Sequence, residues 1–198
     1  VRPSGGECEG AYSDPYVSLI TLTASAKPEG EYIGPVDHLQ SLRDSWDTTY
    51  HALRNAMVRA GFESHQWTYD RRAEPHRGDR GGGVNVGYGH EHVVLITDGP
   101  VSHADLTPVI DTHVRENPYA GEAAHGRQST EIKAANELTD VASYVADYCS
   151  IEARPLTERS PAYLMWAAAA TACGYRTVSR SDSATQAVKA DMCKQRYE

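Results

Sequence analysis

Apolar and polar positions alternate between two periods along this chain. Tyr16 to Ala24 (YVSLITLTA) is a β-branched, apolar run, which predicts a buried strand. A Gly/Pro-rich turn follows over Lys27 to Pro35. Leu39, Leu42, Trp46, Tyr50, Leu53 and Met57 then recur at spacings of three and four, the period of a long amphipathic helix closed at Gly61. His65 to Ala73 alternates loosely, as a second strand would, and Arg77 to Gly89, with Gly81-Gly82-Gly83, reads as an exposed loop. His90 to Thr97 (HEHVVLIT) predicts another strand, ended by Asp98-Gly99-Pro100. Ser102 is placed to cap a helix running to about Glu116 and stopped by Asn117-Pro118. Tyr119 to Gln128 reads as loop and Ser129 to Ala134 as a short strand. Thr139 starts a helix through Val141, Tyr144, Val145 and Tyr148, and an Ala-rich helix over Ala162 to Cys173 follows Ser160-Pro161.

The order is strand, helix, strand, strand, helix, short strand, helix, with the Ala-rich helix last. It predicts an α+β fold: a central antiparallel β-sheet with helices packed mainly on one face. Residues 1–15 read as a flexible, polar N-terminal segment, 16–178 as one domain, and 179–198 as a polar, helical tail. A chain of 198 residues is long enough to bury a real core.

Composition changes the picture in two ways. The formal charge is −8, from 27 acidic and 19 basic residues, and Lys occurs only at Lys27, Lys133, Lys189 and Lys194. A nucleic-acid-binding surface normally carries a basic footprint. Either the chain does not touch nucleic acid, or it works in concentrated salt, where screening is short-ranged and acidic surfaces stay hydrated. Cys8, Cys149, Cys173 and Cys193 form no C-x-x-C pair, which argues against a zinc ribbon and suits a reducing cytoplasm. No stretch approaches ~18 consecutive apolar residues, so no membrane partner is expected.

Two features carry candidate chemistry. His90 and His92 stand at i and i+2 of a strand and so share a face, and paired neutral imidazoles make a two-point metal site. Taken alone, they are also two ordinary strand-end histidines. Tyr144 and Tyr148, four apart on a helix, share one face and offer two phenol nucleophiles, although such pairs often just pack a core. Gly81-Gly82-Gly83 lacks the Lys-Ser/Thr of a phosphate loop. His76 could approach the histidine pair but reads as a loop residue, and His103 and His113 read as surface or packing positions on their helix.

In sequence order these features resemble the three motifs of the HUH endonuclease superfamily, specifically its rolling-circle replication initiators. Leu19 to Thr23 (LITLT) is similar to the first motif, Gly87 to Leu95 (GYGHEHVVL) to the second, and Tyr144 to Tyr148 (YVADY) to the third. Glu74-Pro75-His76 resembles the E-P-H that often precedes the second motif, and Val109 to Asn117 and Tyr163 to Ala167 (YLMWA) resemble segments of initiators from haloarchaeal plasmids and pleomorphic viruses. A halophilic source would reconcile the acidic composition with DNA. The resemblance implies a palm-like sheet and a divalent metal, Mn²⁺ or Mg²⁺, on His90, His92 and Glu74. It implies a Tyr148 or Tyr144 nucleophile that nicks single-stranded origin DNA and leaves a 5′-phosphotyrosine. It places Thr21 and Thr23 against DNA, and it implies a host helicase and polymerase as partners. A transposase or relaxase would share this chemistry. A catalytically weakened DNA-binding module would keep the fold without the reaction, and a small-nucleotide phosphoesterase would use the metal with the tyrosines structural.

The sequence departs from the family pattern twice. Glu91 stands between the histidines, where an apolar residue facing the packed side of the sheet is usual, and a carboxylate there needs a partner or an open edge. Asp147 stands where the family carries a Lys, which leaves Lys133 or Arg154 as the basic residues for that DNA-binding role.

Overall fold

The computed structural model describes residues 12–76, 83–134, 137 and 155–182. Five strands form one sheet: β1 (Pro15–Thr23), β2 (Trp67–Pro75), β3 (Gly89–Asp98), β4 (Thr130–Ala134) and β5 (Val178–Arg180). The spatial order is β4-β1-β3-β2-β5, and every neighbouring pair is antiparallel. The described helices are α1 (Pro35–Arg59), α2 (His103–Glu116) and α3 (Pro161–Ala172). The architecture is the α+β arrangement expected from the pattern.

All three helices pack on one face, because the odd-numbered residues of β2 and β3 and the even-numbered residues of β1 form its apolar side. Ile20, Leu22, Tyr69, Val93 and Leu95 meet Leu53, Ala56 and Met57 of α1 and Leu106, Val109 and Ile110 of α2. Ala73 and Ala24 meet Leu39 and Leu42 of α1 and Trp166, Ala169 and Ala170 of α3. Burying one such Leu or Ile side chain is worth about 1.5–3 kcal/mol, so this layer holds the sheet flat against the helices.

Local signals fix the helix ends. Ser102 accepts from the Asp105 backbone N–H while the Asp105 carboxylate accepts from the Ser102 N–H, a reciprocal cap. At the end of α1, Gly61 has φ +89°, and the Phe62 and Gly61 N–H groups bond back to the Met57 and Val58 carbonyls. Gly174, with φ +62°, ends α3 in the same way, and its turn delivers Tyr175 beneath the sheet.

Three boundaries differ from the sequence reading. β2 runs from Trp67 to Pro75 rather than from His65 to Ala73, so Glu74 belongs to the strand itself. Ser179 and Arg180, assigned to a helical tail, pair with Arg71 and Asp70 as part of β5. His76, expected in a loop, continues β2 by one bridge to Val86. The predicted helix bearing Tyr144 and Tyr148 lies outside the described residues, as does Arg154. Among the described residues no helix is long and apolar enough to cross a membrane.

Candidate metal centre

The face of the sheet opposite the helices carries the candidate residues, and register assembles them. Glu74 of β2 lies across from His90 of β3, which lies across from Thr23 of β1; in the next row Arg72, His92 and Thr21 are aligned in the same way. Gly89 lets β3 begin in close contact with α1 and α3. A Cβ on it would lie 2.8 Å from the end of the Leu39 side chain and 3.1 Å from the Trp166 ring, so a larger residue requires those side chains to shift.

Glu74, His90 and His92 converge on one point and could hold a metal ion. The His90 and His92 Nε2 atoms are 2.9 Å apart, and Glu74 Oε1 lies 3.5 Å from the first and 3.2 Å from the second. Ligand atoms about 2.1 Å from a common ion lie about 3.0 Å apart at right angles and about 3.4 Å apart at tetrahedral angles. The three observed edges therefore match one face of a single coordination shell. Two imidazoles and a carboxylate suit a borderline or hard divalent cation. His92 Nδ1 lies 3.2 Å from Thr21 Oγ1; with Nδ1 as donor, that bond turns the Nε2 lone pair toward the cluster.

Electrostatics favour the deprotonated forms of Glu74 and His90. Burial would raise the Glu74 carboxyl, but its hydrogen bonds to His90 and His92 outweigh that and hold it well below the usual carboxylate range. Burial keeps His90 below the ordinary imidazole value. His76 is pushed down to about 3, by burial first and then by His90, His38 and His92. Its ring stacks on that of His90 with centroids 4.1 Å apart, which brings it into the site. The alternation of Glu74 and His76 on one face of an extended chain was the signal that could have found it.

Glu91 points the other way, into the helix layer, and is 1% exposed. It accepts hydrogen bonds from the Arg71 guanidinium and the Tyr175 hydroxyl, and Arg71 also donates to Tyr175 at 2.8 Å. Arg71 lies over the Trp46 ring, 4.4 Å from its centroid. Burial opposes the Arg71 charge, but Glu91 and Tyr175 outweigh it, while burial and the Glu91 charge push the Tyr175 hydroxyl up. The carboxylate between the histidines thus has its partners, and they come from β2 and from the turn after α3.

Three more histidines hold the end of β1 beside the site. His125 Nε2 accepts from the Thr23 N–H at 3.1 Å, and its Nδ1 donates to Gly121 O at 2.8 Å. His113 Nε2 donates to Thr23 O at 3.1 Å, and His38 Nε2 donates to Ala24 O at 3.0 Å. His113 is therefore a packing residue. Burial is the main cause that lowers all three imidazoles. Their folded values lie below the unfolded one, so the unfolded chain takes up protons first as pH falls below about 6.5. The stability they contribute is full above that pH and declines below it. The urea midpoint measured at fixed KCl should fall steadily between pH 6.5 and 4.5, and a flat profile would contradict the assignment.

Lys133 is not brought to the cluster. It lies across from Val17, roughly 14 Å along β1 from Thr21 at about 3.4 Å per residue, and pairs with Glu131 at 2.6 Å. Thr21 and Thr23 flank the histidines directly.

Fold and site together define an α+β protein with a two-histidine, one-carboxylate cluster on the helix-free face of an antiparallel sheet. The chain belongs to the family described as "Putative rep protein (DUF1424)", whose model matches residues 9–191. It is 36% identical over 111 residues to an "Uncharacterized 36 kDa protein" of Halobacterium salinarum, a stretch covering 56% of this chain and 31% of that one. A protein of the same description from Halobacterium sp. (strain GN101) is 34% identical over 111 residues, 56% of this chain and 32% of its own. The matched stretch thus spans about a third of the length of these relatives. No solved structure matches the chain.

Proposed function

We propose that this chain initiates rolling-circle replication by nicking and rejoining single-stranded DNA through a tyrosine. The observation that carries the reading is the Glu74, His90 and His92 cluster, with ligand-atom separations of 2.9, 3.2 and 3.5 Å. The family's description and the Halobacterium relatives support the replication role and a salt-rich setting, which suits the acidic, Lys-poor composition.

Glu74, His90 and His92 would hold one Mn²⁺ or Mg²⁺, which when bound supplies positive charge beside the scissile phosphate. The Thr21 and Thr23 hydroxyls border the same face and would contact the DNA backbone. Tyr148 or Tyr144 supplies the nucleophile. Its hydroxyl, with an ordinary pKa of ~10, gives up its proton as the oxygen attacks phosphorus. The bond from phosphorus to the 3′ oxygen breaks, that oxygen leaves as a 3′-hydroxyl, and the 5′ phosphate stays on the tyrosine. The phosphodiester energy is kept in the new bond, so the reverse attack rejoins the strand without ATP. Arg154 remains a candidate for holding DNA, and strand separation would fall to a host helicase working with a polymerase.

Incubation with single-stranded origin DNA and Mn²⁺ should give a protein–DNA adduct on a denaturing gel. EDTA should abolish it, and Tyr148→Phe or Tyr144→Phe should remove it. An adduct that survives in the double Tyr→Phe variant would overturn the tyrosine assignment.

A further inference from the structure

The two metal-facing histidines are oriented by different means. A ligating imidazole ordinarily has its far nitrogen held by a hydrogen bond, which fixes ring orientation and tautomer. His92 has such a bond, from Nδ1 to Thr21 Oγ1 at 3.2 Å. His90 does not: its Nδ1 is buried and finds no hydrogen-bond partner among the described residues. What lies against His90 instead is the His76 ring, with centroids 4.1 Å apart and planes inclined by 28°. The His92 ring also meets it, edge-on, at 4.6 Å and 89°. At its far nitrogen the His90 ring is therefore held by ring contacts rather than by a hydrogen bond.

His76 is itself firmly placed. Its N–H donates to Tyr88 O at 2.9 Å, and its carbonyl accepts from the Gly87 N–H at 2.9 Å. Its Nε2 lies 3.4 Å from Thr23 Oγ1. Thr23 in turn is gripped at N–H and C=O by His125 and His113. A rigid chain of contacts thus runs from α2 and the segment before β4, through the end of β1, to the face of the His90 ring.

We infer that His76 is the positioning residue for His90, holding the ring by stacking so that its Nε2 faces Glu74 and His92. The inference rests on the metal reading of that cluster and adds to it a fourth residue whose planar ring, not its nitrogens, does the holding. Offset aromatic stacks hold a ring beyond what the buried area alone supplies, and loss of outer support at metal sites typically weakens binding about 10- to 100-fold.

The test compares His76→Ala with His76→Phe, the second of which keeps a flat ring but has no nitrogen to offer. Mn²⁺ affinity is read from the free-ion electron paramagnetic resonance signal during titration. His76→Ala should weaken binding by about tenfold or more, and His76→Phe should stay within about threefold of the parent protein. Equal, parental affinity in both variants would overturn the inference, as would equal weakening in both, which would make His76 act through its nitrogens. A second readout needs no metal. The His90 ring proton resonances of the metal-free protein, shifted by the stacked ring, should move toward free-histidine positions in His76→Ala but not in His76→Phe. No movement in His76→Ala would again overturn the inference. A parent protein that binds no Mn²⁺, yet shows these shifts, would sink the metal reading while leaving the stack standing.

Discussion

Replacing His92 by Ala is expected to weaken Mn²⁺ binding by more than about 100-fold, beyond what loss of an outer-shell contact costs at metal sites. His92 supplies two of the three edges of the cluster, 2.9 Å to His90 and 3.2 Å to Glu74. Without it only one imidazole and one carboxylate remain, too few to strip a divalent ion of much of its water. Folding should survive, because two facing Nε2 atoms at 2.9 Å form a bond only when one of them carries a proton, and truncation relieves that constraint. Calorimetric titration on a variant whose circular dichroism matches the parent decides the point, and unchanged affinity would remove His92 from the ligand set. DNA adduct formation should disappear together with metal binding.

The second large effect lies on the opposite face. Arg71→Ala should lower stability by roughly 3–5 kcal/mol, because it leaves a buried carboxylate without its counter-charge. The Arg71 and Glu91 side chains are 6% and 1% exposed, so little solvent is available to replace the lost partner. For a chain of this size that corresponds to a fall of about 6–20 °C in melting temperature. Removing the whole group should hurt far less. In the triple variant Arg71→Met, Glu91→Leu, Tyr175→Phe, no charge is left to desolvate, and most of the loss should be recovered. Urea unfolding of the three proteins measures this. An Arg71→Ala variant within about 0.5 kcal/mol of the parent would show that Glu91 is not held as a buried anion.

Much of this was legible in the chain. The β-branched run of β1, the three- and four-residue spacing of α1 and the Ser102 cap each carry a local physical signal, and each element stands where that signal puts it. The i, i+2 spacing of His90 and His92 put both rings on one face before any neighbour was known. β5 was not legible, since three residues have no period of their own and this strand exists only because the outer edge of β2 is open to pair with it. Pro75 hid the true end of β2, where a missing N–H costs nothing because the outer-edge bonding has ended at Ala73, whose N–H donates to Thr177 O. The partners of Glu91 were beyond reach for a related reason. Arg71 is 20 residues away and Tyr175 is 84 residues away, and only the packed sheet brings them together. His76 joined the site through its stack on His90, a contact that depends on how β2 and β3 are registered.

The proposed chemistry of this face depends on a single ion bound by three named atoms. Diffraction from crystals grown with Mn²⁺, recorded at the manganese absorption edge, locates that ion without any assumption about activity. One anomalous peak is expected between Glu74 Oε1, His90 Nε2 and His92 Nε2, about 2.0–2.3 Å from each. A peak elsewhere, or none at this triangle in manganese-saturated crystals, would contradict it.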